Sequence, residues 1–230
     1  MNNLLKELKT LSDIQIAEHA QRFFKTGKDE YGEGDKFLGI RVPILRKKAE
    51  QYKYLSLEEI SHLLQSQFNE IRLISLFILI KNYEKSDHKH KEEIVNLYIG
   101  NIAFINNWNL VDASAPKILG DYLMNKKKTL LYLLASSNNL WERRIAIMST
   151  FNFIKKGLYK DTIKIAAILI NDREDLIHKA VGWMLREVGN RDFNIEVSFL
   201  NKYADKMPRT MLRYSIEKFP EGLRKEYLKL

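Results

Sequence analysis

Asn69-Glu70-Ile71-Arg72, Leu140-Trp141-Glu142-Arg143 and Asp175-Leu176-Ile177-His178-Lys179 share one pattern, and the fold follows from it. Each reads as the opening of a helix in which a basic residue is followed three positions on by a small one: Ser75, Ala146 and Gly182. A further opening at Asn107 keeps the spacing with the charge reversed, as Asp112 and Ala115. Helix starts at 69, 107, 140 and 175 lie 38, 33 and 35 residues apart. A helix-pair unit of that length cannot bury its apolar face alone and stacks on its neighbours, which predicts an all-α, curved solenoid of HEAT-like repeats. Small residues at the repeated position let successive layers approach closely.

Outward from these starts, apolar residues recur at three- and four-residue spacing and not in alternation. Four prolines and ten glycines are too few to interrupt a helical chain often. The pattern predicts helices over 3–10 and 12–25, with Ser12 as an N-cap, then over 43–54, 57–65, 69–81 and 89–99. Ser56 and Glu59 have the spacing of a capping box. Further helices are expected over 107–124, 128–136, 140–155, 159–170, 175–188, 194–203 and 208–218, with a short one at the end. The whole chain, 1–230, is expected to form a single repeat domain. The loop after Lys25 holds Gly32 and Gly34, but Phe37 stands where a dinucleotide fingerprint needs its third glycine and no strand precedes it. It reads as a turn-rich connection.

Composition narrows the function. Lys and Arg total 38 against 29 for Asp and Glu, a formal charge of +9 that favours a polyanionic partner. The chain has no cysteine, so disulfides, thiolate metal sites and a cysteine nucleophile are excluded. The five histidines lack the acidic partners of a metal site, and no metal is expected. The longest mainly apolar run, Leu73 to Ile80, is far short of the roughly 20 residues that span a bilayer. A cytoplasmic protein without membrane contact is expected.

In a solenoid of this kind the second helices line one concave surface, so Arg72, Asp112, Arg143 or Arg144, and Lys179 are expected along a basic groove containing a single acid. Trp108 precedes Asp112 by four residues and shares its helix face. An apolar core has little use for that carboxylate. A helix-terminal charge favoured by the macrodipole is the plainer alternative for Asp112. Core packing is the plainer alternative for Trp183, and it is the reading given to Trp141. Lys126-Lys127-Lys128 reads equally as a helix-end charge run or a phosphate contact.

Phe37-Leu38-Gly39-Ile40-Arg41-Val42-Pro43, Trp108-Asn109-Leu110-Val111-Asp112, Trp141-Glu142-Arg143-Arg144-Ile145-Ala146-Ile147 and Lys179-Ala180-Val181-Gly182-Trp183-Met184-Leu185-Arg186-Glu187 together resemble the HEAT-like repeat DNA glycosylases of the AlkD type, DNA alkylation repair enzymes. The resemblance implies a monofunctional, cofactor-free hydrolase, active as a monomer, that releases N3- and N7-alkylated purines from double-stranded DNA. It also implies that Trp108, Asp112, Arg144 and Trp183 stand at functional positions. Two features depart from the family pattern. Asn107 and Asn109 flank Trp108 where an aromatic and an aspartate are frequent, and Phe23 replaces a site-framing tyrosine.

Such chemistry needs few residues. An N-alkylated purine is already cationic and leaves as a neutral base, so no general acid is required. A fixed carboxylate, here Asp112, would stabilise the oxocarbenium-like sugar and place a water. Trp108 and Trp183 would offer aromatic faces to the sugar or cationic base. Arg144, with Arg143, Lys179 and Arg72, would hold backbone phosphates without reading sequence. Two rivals remain: a DNA-binding repeat protein that has lost turnover, and a protein-binding scaffold.

Overall fold

The computed structural model describes all 230 residues and is helical throughout, with sixteen α-helices. The only pairing of extended chain is a single parallel bridge between Lys36 and Phe68. The chain separates into two compact units, Met1–Ser114 and Ala115–Leu230.

The first unit holds α1 (Asn2–Thr10), α2 (Ile14–Phe23), α3 (Val42–Gln51), α4 (Leu57–Leu64), α5 (Asn69–Lys85), α6 (His88–Gly100) and α7 (Trp108–Ser114). Its axis is α5, on which α3, α4, α6 and α7 pack. Every residue from Asn69 to Ile80 is buried. That is why the Leu73–Ile80 run shows no polar face: a helix surrounded on all sides has no use for one. The Ser56–Glu59 capping box forms as expected, opening α4. The cap of α2 is a correction. Asp13, not Ser12, accepts from the Gln15 and Ile16 N–H groups, while the Ser12 hydroxyl turns back to the Lys9 carbonyl.

The second unit holds α8 (Leu119–Tyr122), α9 (Thr129–Ala135), α10 (Leu140–Ser149), α11 (Phe151–Lys155), α12 (Lys160–Ile168), α13 (Asp175–Gly189), α14 (Phe193–Tyr203), α15 (Arg209–Ser215) and α16 (Glu221–Tyr227). The close layering foreseen from small residues is present here. A Cβ on Gly182 would come within 2.5 Å of the Met211 carbonyl oxygen, so α13 and α15 approach backbone to backbone at that point. Trp141 packs in the core, 8% exposed.

Two expected helices are divided. The helix expected over 107–124 ends at Ser114 and resumes only at Leu119. Pro116 is the cause: it donates no N–H, and its ring collides with the carbonyl of the residue four before it. That residue is Asp112. The helix expected over 140–155 divides at Thr150, whose N–H and hydroxyl both turn to the Ile147 carbonyl and tighten the turn. No helix is long and apolar enough to cross a membrane.

Candidate functional site

In the first unit the entry to α7 is built by three aromatic layers and a polar hub. Trp108 is the first residue of the helix. Phe24 stacks on the indole at 5.0 Å and 22° between planes, and on its other side meets Phe37 at 5.0 Å and 18°. Phe23 meets the indole edge-on at 5.9 Å and is itself 59% exposed. One face of Trp108 is thereby covered, and the aromatic group continues to the surface through Phe23. Asp112 lies one turn along the same helix and is half-buried. Burial, and to a lesser degree the Asp112 charge, pushes the Tyr98 phenol up, so that Tyr98 stays a neutral hydroxyl bonded to the Ser114 hydroxyl at 3.0 Å.

The hub is Asp35, from the glycine-bearing loop. One carboxylate oxygen takes the Arg72 guanidinium at 2.5 Å; the other takes the side-chain amides of Asn69 and Asn107, each at 3.0 Å. All four residues are buried. The Asn107 side-chain oxygen then accepts the Trp108 backbone N–H at 2.8 Å, and the Asn107 carbonyl takes the first helical bonds from Leu110 and Val111. Asn109 closes the set, its side-chain N–H donating to the Asn69 side-chain oxygen at 2.7 Å. Asn107 and Asn109, departures from the family pattern in the sequence, are fasteners here. Neighbouring Glu70 serves the same loop, its carboxylate accepting the consecutive backbone N–H groups of Leu38, Gly39 and Ile40.

Arg72 requires a correction. It is 3% exposed, and its donors go to Asp35 and to the Ser66 carbonyl, so it is withdrawn from any phosphate outside. A guanidinium inside a nearly all-apolar helix needs an internal anion, and Asp35 supplies it.

In the second unit Trp183 is half-buried on α13, beside Phe151 at 6.0 Å, and donates its indole N–H to Glu187. Arg143 grips Asp172 with two bonds, at 2.6 and 3.2 Å, and the Ser137 carbonyl with a third. Arg144, expected on a phosphate, is instead 5% exposed and donates to the Leu176 carbonyl, an inward contact that ties α10 to the start of α13. Lys179 is the most accessible of these cations, its side chain 41% exposed in an i, i+4 pair with Asp175. In the lysine run, Lys126 lies over the Tyr122 ring and Lys128 donates to the Met124 carbonyl.

Sequence reading passed over Asp35, Asn69 and Glu70. A signal was present in the Asn-Glu-Ile-Arg start of an otherwise apolar helix, because buried polar groups require partners.

An all-α repeat protein that presents a carboxylate one turn beyond an aromatic-lined indole is the class this arrangement defines. A model of the DNA alkylation repair enzyme family matches residues 4–219, and the chain belongs to that family. Solved structures share the fold. A predicted DNA alkylation repair enzyme from Enterococcus faecalis superposes with a TM-score of 0.69 at 15% identity, over 91% of this chain and 97% of its own. AlkD2 from Streptococcus mutans gives 0.56 at 17% identity, over 90% and 98%. The smu.31 protein of Streptococcus mutans UA159 gives 0.55 at 19%, over 78% and 93%. No curated protein sequence matches the chain.

Proposed function

We propose that this protein is a DNA glycosylase that hydrolyses the N-glycosidic bond of cationic N3- and N7-alkylpurines in double-stranded DNA. The observation that carries the reading is the pairing on α7 of a half-buried carboxylate, Asp112, with an indole, Trp108, whose one face is covered by Phe24. A carboxylate beside a flat aromatic wall suits a transition state in which positive charge moves from the base onto the sugar. Asp112 stabilises that charge and orients the attacking water, while Trp108 packs on the sugar or base. Trp183 adds an aromatic surface, and Lys179 contacts backbone phosphate. Arg143 and Arg144 act at one remove, by holding α10 and α13 in place.

Family membership supports the DNA substrate, and the net charge of +9 agrees with it. The test is release of alkylated purine from methylated duplex DNA. Wild type releases N7-methylguanine or N3-methyladenine, and Asp112→Asn slows release on the order of 10²-fold. Equal release by both proteins overturns the assignment.

A further inference from the structure

The helix carrying Trp108 and Asp112 is only seven residues long, and Pro116 stands just beyond its end. A helix this short has no stability of its own, so its direction is set by what holds its ends. Its first backbone N–H goes to the Asn107 side chain, which is 0% exposed and is itself held by Asp35. Asp35 is held in turn by Arg72 and Asn69 on the central helix α5. The chain of contacts therefore runs from the rigid axis of the unit, through a loop carboxylate, to the first turn of α7.

We propose that Asp35, acting through Asn107, is a positioning residue for Trp108 and Asp112. The proposal rests on the glycosylase reading for its catalytic consequence and on geometry alone for its mechanical one. Three features favour a positioning role over simple packing. The Asp35 carboxylate receives donors from two different segments, Asn69 on α5 and Asn107 at the start of α7, so it fixes one against the other. The same loop supplies the stacked Phe37 behind Phe24, so one segment sets both the polar and the aromatic side of the indole. Gly32, also in this loop, has no room for a Cβ: one would collide with the Phe24 carbonyl oxygen and lie 3.3 Å from the Asn107 amide nitrogen. Loop, aromatic stack and helix entry are thus pressed together without slack. A carboxylate that acts on a developing charge loses much of its effect when displaced by about 1 Å.

The experiment uses Asn107→Ala, which breaks the link to α7 while leaving the Asp35–Arg72–Asn69 contacts in place, and Asp35→Asn, whose NH2 must face either the Arg72 guanidinium or the two asparagine amides, a donor against a donor. Trp108 emission is followed in a Trp141→Phe/Trp183→Phe background, and base release and binding of undamaged duplex are followed with all tryptophans present. For Asn107→Ala the emission shifts to the red with faster acrylamide quenching, and single-turnover release falls by at least about 10-fold. Affinity for undamaged duplex stays within about twofold, which a general loss of structure would not allow. Asp35→Asn moves the same readouts further; should it fail to fold, Asn107→Ala decides alone. Unchanged emission and unchanged release in Asn107→Ala overturn the proposal. A red shift in a protein whose wild type releases no alkylated base upholds the positioning of Trp108 and instead removes the glycosylase reading.

Discussion

The carboxyl group of Glu196 occupies the space a side chain on Gly189 would need: a Cβ built at that glycine overlaps the Glu196 carboxylate. Glu196 is 2% exposed, and one of its oxygens has no hydrogen-bond partner. Burial pushes its pKa from 4.5 up to about 8, against the opposing pull of Arg186, whose guanidinium is also committed to Glu217. The unfolded chain loses this proton near pH 4.5 and the folded one only near pH 8. Between those values the native state holds the extra proton, so this group's contribution to stability falls as pH rises through the window and is constant above it. Glu196→Gln therefore matches wild type near pH 4 and exceeds it at pH 9, by on the order of 2–4 kcal/mol. Urea unfolding at a series of pH values measures this; parallel curves for the two proteins would refute it.

Gly39 adopts φ +81°, and a Cβ there would strike the Asp13 carbonyl oxygen and come within 2.8 Å of the Ala17 nitrogen. Gly34 has nearly the same φ, +82°, but open space around it. The pair separates backbone strain from collision. Gly34→Ala costs about 1–2 kcal/mol from the left-handed conformation alone. Gly39→Ala adds the collision and pushes α2 off the Leu38–Gly39 segment, for a loss of about 3 kcal/mol or more. Because α2 leads directly into Phe23 and Phe24, Trp108 emission shifts with Gly39→Ala and not with Gly34→Ala.

Local signals were legible in the sequence, and distant ones were not. The Ser56–Glu59 cap and the helix starts at Asn69, Leu140 and Asp175 depend on neighbours within one turn, and they are as expected. The break at Pro116 was equally local and lay open to reading, but apolar spacing on both sides favoured a continuous helix. The Asp35 hub joins residues 34, 37 and 72 positions away along the chain, a juxtaposition that only the packed fold creates. Arg72 fits the repeat pattern of surface cations, yet its helix is buried on every side, so the same residue type serves the interior. The four-residue spacing of Trp108 and Asp112, which puts an indole and a carboxylate on one helix face, is likewise a local signal.

The basic residues divide by exposure, and the division predicts two kinds of effect. Arg143 and Asp172 form a two-bond pair in which the Asp172 side chain is only 5% exposed. Arg143→Ala leaves that carboxylate buried without its cation and lowers stability by about 3 kcal/mol. Its effect on the salt dependence of duplex binding is small. Lys179→Ala behaves in the opposite way: the exposed pair with Asp175 is worth less than about 1 kcal/mol, and one phosphate contact fewer lowers the logarithmic salt slope by about 0.9. Thermal melts together with binding titrations at several salt concentrations test both. A salt slope that falls with Arg143→Ala and not with Lys179→Ala would reverse the assignment.

The two phenylalanines beside Trp108 predict a split between folding and function. Phe24 lies between the indole and Phe37, stacked on both, so its truncation removes two ring contacts and opens a gap beneath Trp108. Phe24→Ala lowers stability by about 2–3 kcal/mol, below the cost of a fully buried ring because Phe24 is half-buried. Phe23 touches the indole by an edge and keeps most of its surface in water. Phe23→Ala costs less than about 1 kcal/mol in folding, since little area returns to solvent. If the open side of this aromatic group is where alkylated DNA docks, Phe23→Ala still weakens binding of a methylated duplex and slows base release. Phe23→Tyr keeps the ring, adds a hydroxyl at the exposed edge and preserves both activities. Unfolding midpoints for the three variants, set beside single-turnover release rates, separate the roles. Loss of stability in Phe23→Ala comparable to that in Phe24→Ala would make Phe23 a packing residue and move the docking surface elsewhere.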